Sequence, residues 1–176
     1  MTRKFLFCFP LRVGNVVFGF IVIIIAVAVL AFSLFELADN LVNGYRDDTR
    51  FRDFQNLEKI FGSDRDILVT YTIIVYYMSY IIVSLLLLLF SILLACGAWK
   101  ANSCLVSTFF VYSFFHLFLT IGLIVWEALT AGWIQLGLIL LSDVLLIVCL
   151  FGVKYLMEAI RTGNIYSRPG EIYDKY

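Results

Sequence analysis

Two ionisable residues, His116 and Asp143, stand inside long apolar stretches, and they are the first candidates for chemistry. A charge held in hydrocarbon is costly, so an acid or imidazole at membrane depth is a functional suspect by default. His116 lies 12 residues past Cys104, and Asp143 lies 11 residues before Lys154. At about 1.5 Å of rise per residue, both sit roughly 16 to 18 Å from the same membrane edge. That matched depth on consecutive antiparallel helices predicts a hydrogen bond between them. Three readings stand open: a structural pin fixing the register of two helices, a proton-sensing or proton-carrying pair built on an imidazole that titrates near neutrality, and no contact at all.

Nothing else in the chain has the spacing of a catalytic site. There is no phosphate-cradling glycine loop, no HExxH, no GxSxG and no CxxC pair, and the one histidine has no nucleophile beside it. The expectation is a protein without enzymatic activity, cofactor, metal or nucleic-acid partner.

The elements that must position these residues follow from composition. Of 176 residues, 62% are hydrophobic and only 15% are charged, with a mean hydropathy of +0.97. Soluble domains are nearer half apolar and a quarter charged, so too few polar residues exist to cover a water-soluble globule. The apolar residues form four runs, at about 14–37, 72–99, 104–126 and 134–153, separated by every sizeable cluster of charge. Each reaches the roughly 20 residues an apolar helix needs to cross a bilayer. Both prolines, Pro10 and Pro169, fall outside the runs, so straight helices are expected. The runs are continuous rather than alternating, which excludes a β-barrel. The predicted fold is all-α, a polytopic four-transmembrane-helix bundle forming a single domain. The first run is read as a retained span, because no polar segment surrounds the Ala26-Val27-Ala28 triplet that could imitate a signal-peptide cleavage site.

Charge orients the bundle. One side carries Arg3, Lys4, Arg12, Lys100, Lys154, Arg161, Arg168 and Lys175 against three acids; the other carries five basic residues against nine acids, Glu36 and Glu127 among them. The positive-inside rule then makes both termini cytosolic and places residues 38–66 outside. Trp99, Trp126 and Trp133 fall at span ends, and Tyr71, Tyr76, Tyr77 and Tyr80 are expected at or above the interface.

The four cysteines, Cys8, Cys96, Cys104 and Cys149, all lie near cytosolic boundaries, so the outer loops have no disulfide framework of the kind tetraspanins and claudins use. Two readings are open, small apolar packing residues or acceptors for reversible palmitoylation, with Cys8 the leading acceptor. In the outer loop Phe51, Phe54, Leu57 and Phe61 recur at helical spacing behind Asp47 and Asp48. An amphipathic helix on the outer leaflet, offering a partner contact, and a solvated mixed-charge loop both suit that pattern. The tail, 154–176, carries Tyr166 and Tyr173, candidates for phosphorylation, and ends in Asp174-Lys175-Tyr176, a candidate ligand for docking a cytosolic adaptor. Small residues at Gly14, Gly19, Ala26, Ala28, Ala95, Gly97, Ala98, Gly132 and Gly137 allow close helix approach, within the bundle or in a homo-oligomer.

The opening Cys8-Phe9-Pro10-Leu11-Arg12-Val13-Gly14, with Lys154-Tyr155, Asn164-Ile165 and Pro169-x-Glu171-Ile172 at the other end, resembles the lysosome-associated four-span transmembrane family and related small arthropod four-span proteins of the septate-junction type. The resemblance covers the layout and the ends, not the first loop. It implies endolysosomal sorting or junction assembly. Members carry a cysteine cluster where this chain has Cys8, and Pro-Pro-x-Tyr tails where it has Pro169 alone. The expected function is an integral membrane scaffold or trafficking protein that organises other membrane proteins, in a plasma-membrane junction or an endosomal or lysosomal membrane. The alternative is a proton-sensitive transport or channel-associated subunit centred on His116 and Asp143.

Overall fold

The computed structural model describes residues 4–5, 9–43, 66–130 and 133–163. Four helices account for nearly all of them: α1 (Leu11–Asn43), α2 (Asp66–Trp99), α3 (Ser103–Thr130) and α4 (Trp133–Arg161). Each is long and apolar enough to cross a membrane, as the apolar runs predict. A feature the runs do not predict precedes them, a two-residue antiparallel pairing of β1 (Lys4–Phe5) with β2 (Phe9–Pro10), in the register Lys4 to Pro10 and Phe5 to Phe9.

The helices outlast the hydrocarbon-length runs. α1 continues past residue 37 to Asn43, and α4 past residue 153 to Arg161, so residues 154–161 belong to the fourth helix rather than to the tail. A helix leaving hydrocarbon still satisfies its backbone internally, and the last turn of α4 carries Arg161, a cation that its terminal carbonyls favour. The turn between α2 and α3 is short and specified by its residues. Ala101 adopts φ 52°, and the Asn102 amide returns to the Gly97 carbonyl at 2.9 Å, the left-handed stop of a Schellman motif. The Asn102 side chain then caps α3, its Oδ1 accepting from the Cys104 amide at 3.0 Å.

Packing proceeds around a ring: α1 lies most extensively on α2, α2 on α3, α3 on α4, and α4 closes against α1. This arrangement has two ends. The Arg12 end gathers the start of α1, the end of α2, the start of α3 and the end of α4; the Glu127 end is the other.

The interior near the Arg12 end is apolar, with Phe18, Leu94, Val106, Phe109, Val153 and Leu156 at its centre. Phe18 meets Phe109 edge-on at 6.4 Å. Lipid tails are as apolar as these side chains, so close van der Waals packing rather than exclusion from water holds the helices together. Two glycines permit that closeness. A Cβ on Gly19 would stand 3.2 Å from Ala95 Cβ, and one on Gly97 only 2.8 Å from Leu105 Cβ. The outside is as apolar as the inside, with Phe20, Ile24, Phe35, Leu89, Phe118 and Phe151 all exposed. In water that surface would aggregate, and in a bilayer it is the solvated one. The protein is therefore an integral, multi-pass membrane protein in contact with lipid.

Candidate functional site

Helical phase brings the interior polar residues of α3 onto one stripe. Ser113, Thr120 and Glu127 recur every seven residues, with His116 between them, and all four are buried. Each finds its partner differently, and the differences define the site.

Glu127 is wholly buried, although its sequence position beyond Trp126 puts it among the charges expected outside. Its Oε1 accepts hydrogen bonds from Tyr76 and Tyr80, each at 2.7 Å. These tyrosines are one turn apart on α2, so both hydroxyls reach the same oxygen across the helix interface. Around them the Tyr76 ring lies 5.1 Å from Tyr77, 5.0 Å from Tyr80 and 6.2 Å from Trp126. Tyr77 is itself buried, and Ile73 and Leu37 complete the cluster. Tyr76, Tyr77 and Tyr80, expected at or above the interface, turn their rings toward the bundle, where two of their hydroxyls meet an acid on α3. Glu36 of α1, also expected outside, is likewise buried.

His116 and Asp143 do not bond each other. His116 Nδ1 shares a 3.3 Å hydrogen bond with the Tyr112 hydroxyl on its own helix. Asp143 Oδ2 accepts instead from Thr120 Oγ1 at 2.9 Å. Thr120 lies one turn beyond His116, so Asp143 is farther from the Arg12 end than a helix ending at residue 153 implies, by about one turn or 5 Å. Thr120 Oγ1 also stands 2.9 Å from the Leu117 carbonyl. Its single proton serves one of these acceptors at a time. The other carboxyl oxygen, Asp143 Oδ1, is buried without a hydrogen-bond partner among the described residues.

The Arg12 end carries three more cross-helix bonds. Arg12 donates from Nε to the Ala98 carbonyl at 3.1 Å and from Nη2 to the Trp99 carbonyl. It thereby caps the last carbonyls of α2 with a fixed cation. Asn15, fully buried, donates from Nδ2 to the Leu11 carbonyl at 2.7 Å and to the Gly152 carbonyl of α4 at 3.3 Å. Each of the four adjacent helix pairs is therefore clasped by side-chain hydrogen bonds: Arg12 for α1 and α2, Asn15 for α1 and α4, Tyr76 and Tyr80 for α2 and α3, Thr120 for α3 and α4. Ser91 and Ser113 bond back to Leu87 and Phe109 of their own helices and cross nothing.

Chemically, the arrangement offers hydrogen-bond acceptors and donors fixed in place. Among the described residues no group of three or more His, Cys, Asp or Glu side chains is placed to hold a metal ion. Cys149 is buried in the apolar core, whereas Cys96 and Cys104 are exposed. Cys8, the loop residues Phe51, Phe54, Leu57 and Phe61, and the tail residues Tyr166, Tyr173 and Tyr176 lie outside the described residues. Of the small residues, Ala26 is buried, and Gly19, Ala95, Gly97 and Ala98 sit at contacts within the bundle. By contrast Gly137 has open space around it.

Comparison with protein-family models, with curated proteins and with solved structures finds no match for this chain.

Proposed function

We propose that the protein is a non-enzymatic integral membrane scaffold that organises or sorts other membrane proteins. The observation that supports this most directly is the use made of the interior polar groups. Arg12, Asn15, Tyr76, Tyr80, Glu127, Thr120 and Asp143 all serve to clasp one helix to its neighbour. Polar groups committed to register make a rigid body, and a rigid body presenting fixed outer faces suits assembly. The alternative, a proton-sensitive transport subunit, needs a His116–Asp143 pair, and its two members are bonded elsewhere.

A lateral contact surface is at hand. None of residues 133–142 is buried, and Ile134, Leu138, Leu141 and Leu145 form an exposed stripe down α4. In this reading partner helices lie along that stripe, with both termini in the cytosol as the basic residues direct. The resemblance of the chain ends to the lysosome-associated four-span family favours an endolysosomal or junctional membrane, with adaptors at the tail and acylation at Cys8, Cys96 or Cys104.

A photo-crosslinking residue at Gly137 in full-length protein in cells tests the scaffold. The expected result is a discrete crosslinked membrane protein, absent when the same residue replaces buried Leu94; lipid adducts alone overturn the reading. Reconstitution into liposomes tests the alternative. A proton flux lost in Asp143→Asn would replace the scaffold with a transport subunit.

A further inference from the structure

At the Arg12 end a groove of about 760 Å³ opens on the outside of the bundle, bounded by α2, α3 and α4. Its composition changes along its length. Ser103, Ser107 and Arg161 lie at the helix ends, while Val111 and Phe115 lie deeper along α3. Phe90 of α2 stacks on Tyr112 of α3 with ring centroids 4.0 Å apart and planes 5° from parallel, and both line the groove.

The polar end is uncommitted. Arg161 is exposed and has no ion-pair or hydrogen-bond partner among the described residues, and neither Ser103 nor Ser107 donates from its hydroxyl to one. The Thr108 hydroxyl, by contrast, is already bonded to the Cys104 carbonyl at 2.9 Å. Glu158, one turn before Arg161, does not line the groove. A guanidinium and two hydroxyls lining one groove suit a phosphate, for they supply a planar pair of donors plus further neutral ones. Length agrees as well. From Ser103 to Phe115 the α3 backbone rises about 18 Å, close to the roughly 15 Å of one leaflet of a 30 Å hydrocarbon core.

We propose that this groove binds one anionic glycerophospholipid, its phosphate held by Arg161 with the Ser103 and Ser107 hydroxyls and one acyl chain laid along Val111 and Phe115. A lipid seated across three helices joins α4 to α2 and α3 at the end where Arg12 joins α1 to α2.

Native mass spectrometry of the full-length chain in detergent, with equal amounts of phosphatidylserine and phosphatidylcholine, tests the proposal. Retention should favour phosphatidylserine by about fivefold, the ratio one cation supplies at an anionic lipid surface. Arg161→Gln should bring the ratio close to one. Lys154→Gln, which removes an exposed cation on the same helix outside the groove, should leave it unchanged. Val111→Trp should reduce both adducts by filling the groove while leaving Arg161 in place. Equal retention by the wild type, a preference that survives Arg161→Gln, or an equal loss in Lys154→Gln overturns the site. So does a hydroxylamine-labile acyl group on Cys104 that replaces the lipid adduct, since the groove would then hold the protein's own chain.

Discussion

The Tyr80 hydroxyl donates to Glu127 Oε1 at 2.7 Å, although the two residues are 47 positions apart. Tyr76 donates to the same oxygen at the same distance, so one buried acid gathers two phenols from the facing helix. In hydrocarbon an acid without donors is untenable, and the pair of tyrosines is what permits Glu127 to sit inside.

Removing one donor should therefore be felt. Tyr76→Phe and Tyr80→Phe are each expected to destabilise the bundle by about 0.6–2 kcal/mol, the range measured for hydrogen bonds between membrane helices. Glu127→Leu takes away the acceptor both share and should cost about 1–3 kcal/mol. Equilibrium unfolding in mixed micelles measures all three, and a Glu127→Leu protein as stable as the wild type refutes the clasp.

The Thr120–Asp143 contact predicts effects of opposite sign. An amide at position 143 can donate to Thr120 Oγ1 while the threonine proton goes to the Leu117 carbonyl, so both acceptors are satisfied. Asp143→Asn is accordingly expected to be neutral or stabilising by up to about 1 kcal/mol. Thr120→Val strips Asp143 of its hydrogen bond from α3 and should destabilise by about 1–3 kcal/mol. The same unfolding measurement decides, and the idea fails if Asp143→Asn is the more damaging change.

How far the sequence anticipates this site depends on what each residue is asked to reveal. Four apolar runs specify four helices because length and hydropathy suffice for that. The interior partners are another matter. Glu127 follows Trp126 at a span edge, where an acid is naturally assigned to water; only its seven-residue spacing from Ser113 and Thr120 hints that it shares their inward face. His116 and Asp143 were legible as intramembrane polar residues, but their pairing required the end of α4 to better than one turn. Arg12 reads as an inside charge, and nothing local says that its guanidinium reaches the Ala98 and Trp99 carbonyls.

At the end of α2, two substitutions should move stability in opposite directions. Arg12→Gln removes the cation that caps the final carbonyls and is expected to cost about 0.3–2 kcal/mol. Ala101→Gly relieves a side chain held at φ 52°, which should stabilise by about 1 kcal/mol. Thermal unfolding in detergent, run on the single variants and on the double, should show near cancellation.

Glycine substitutions should be ranked by the space they meet. Gly97→Ala drives a Cβ to within 2.8 Å of Leu105 Cβ, forcing α2 and α3 apart, whereas Gly137→Ala meets nothing within 4 Å. The first is expected to lose about 1–3 kcal/mol to overpacking, and the second to gain slightly from helix propensity. Gly19→Ala falls between them, its Cβ at 3.2 Å from Ala95. Folded yield after purification and unfolding midpoint together test the order.

The grip of Arg12 on the end of α2 also bears on how the chain is made. Arg12 is synthesised before its acceptors, the Ala98 and Trp99 carbonyls, which are completed 86 and 87 residues later, before any of α3 exists. The first two helices can thus lock into a hairpin while the ribosome is still translating the two that follow. α3 and α4 then assemble against a finished template, so a defect at Arg12 would be inherited by every later step of biogenesis.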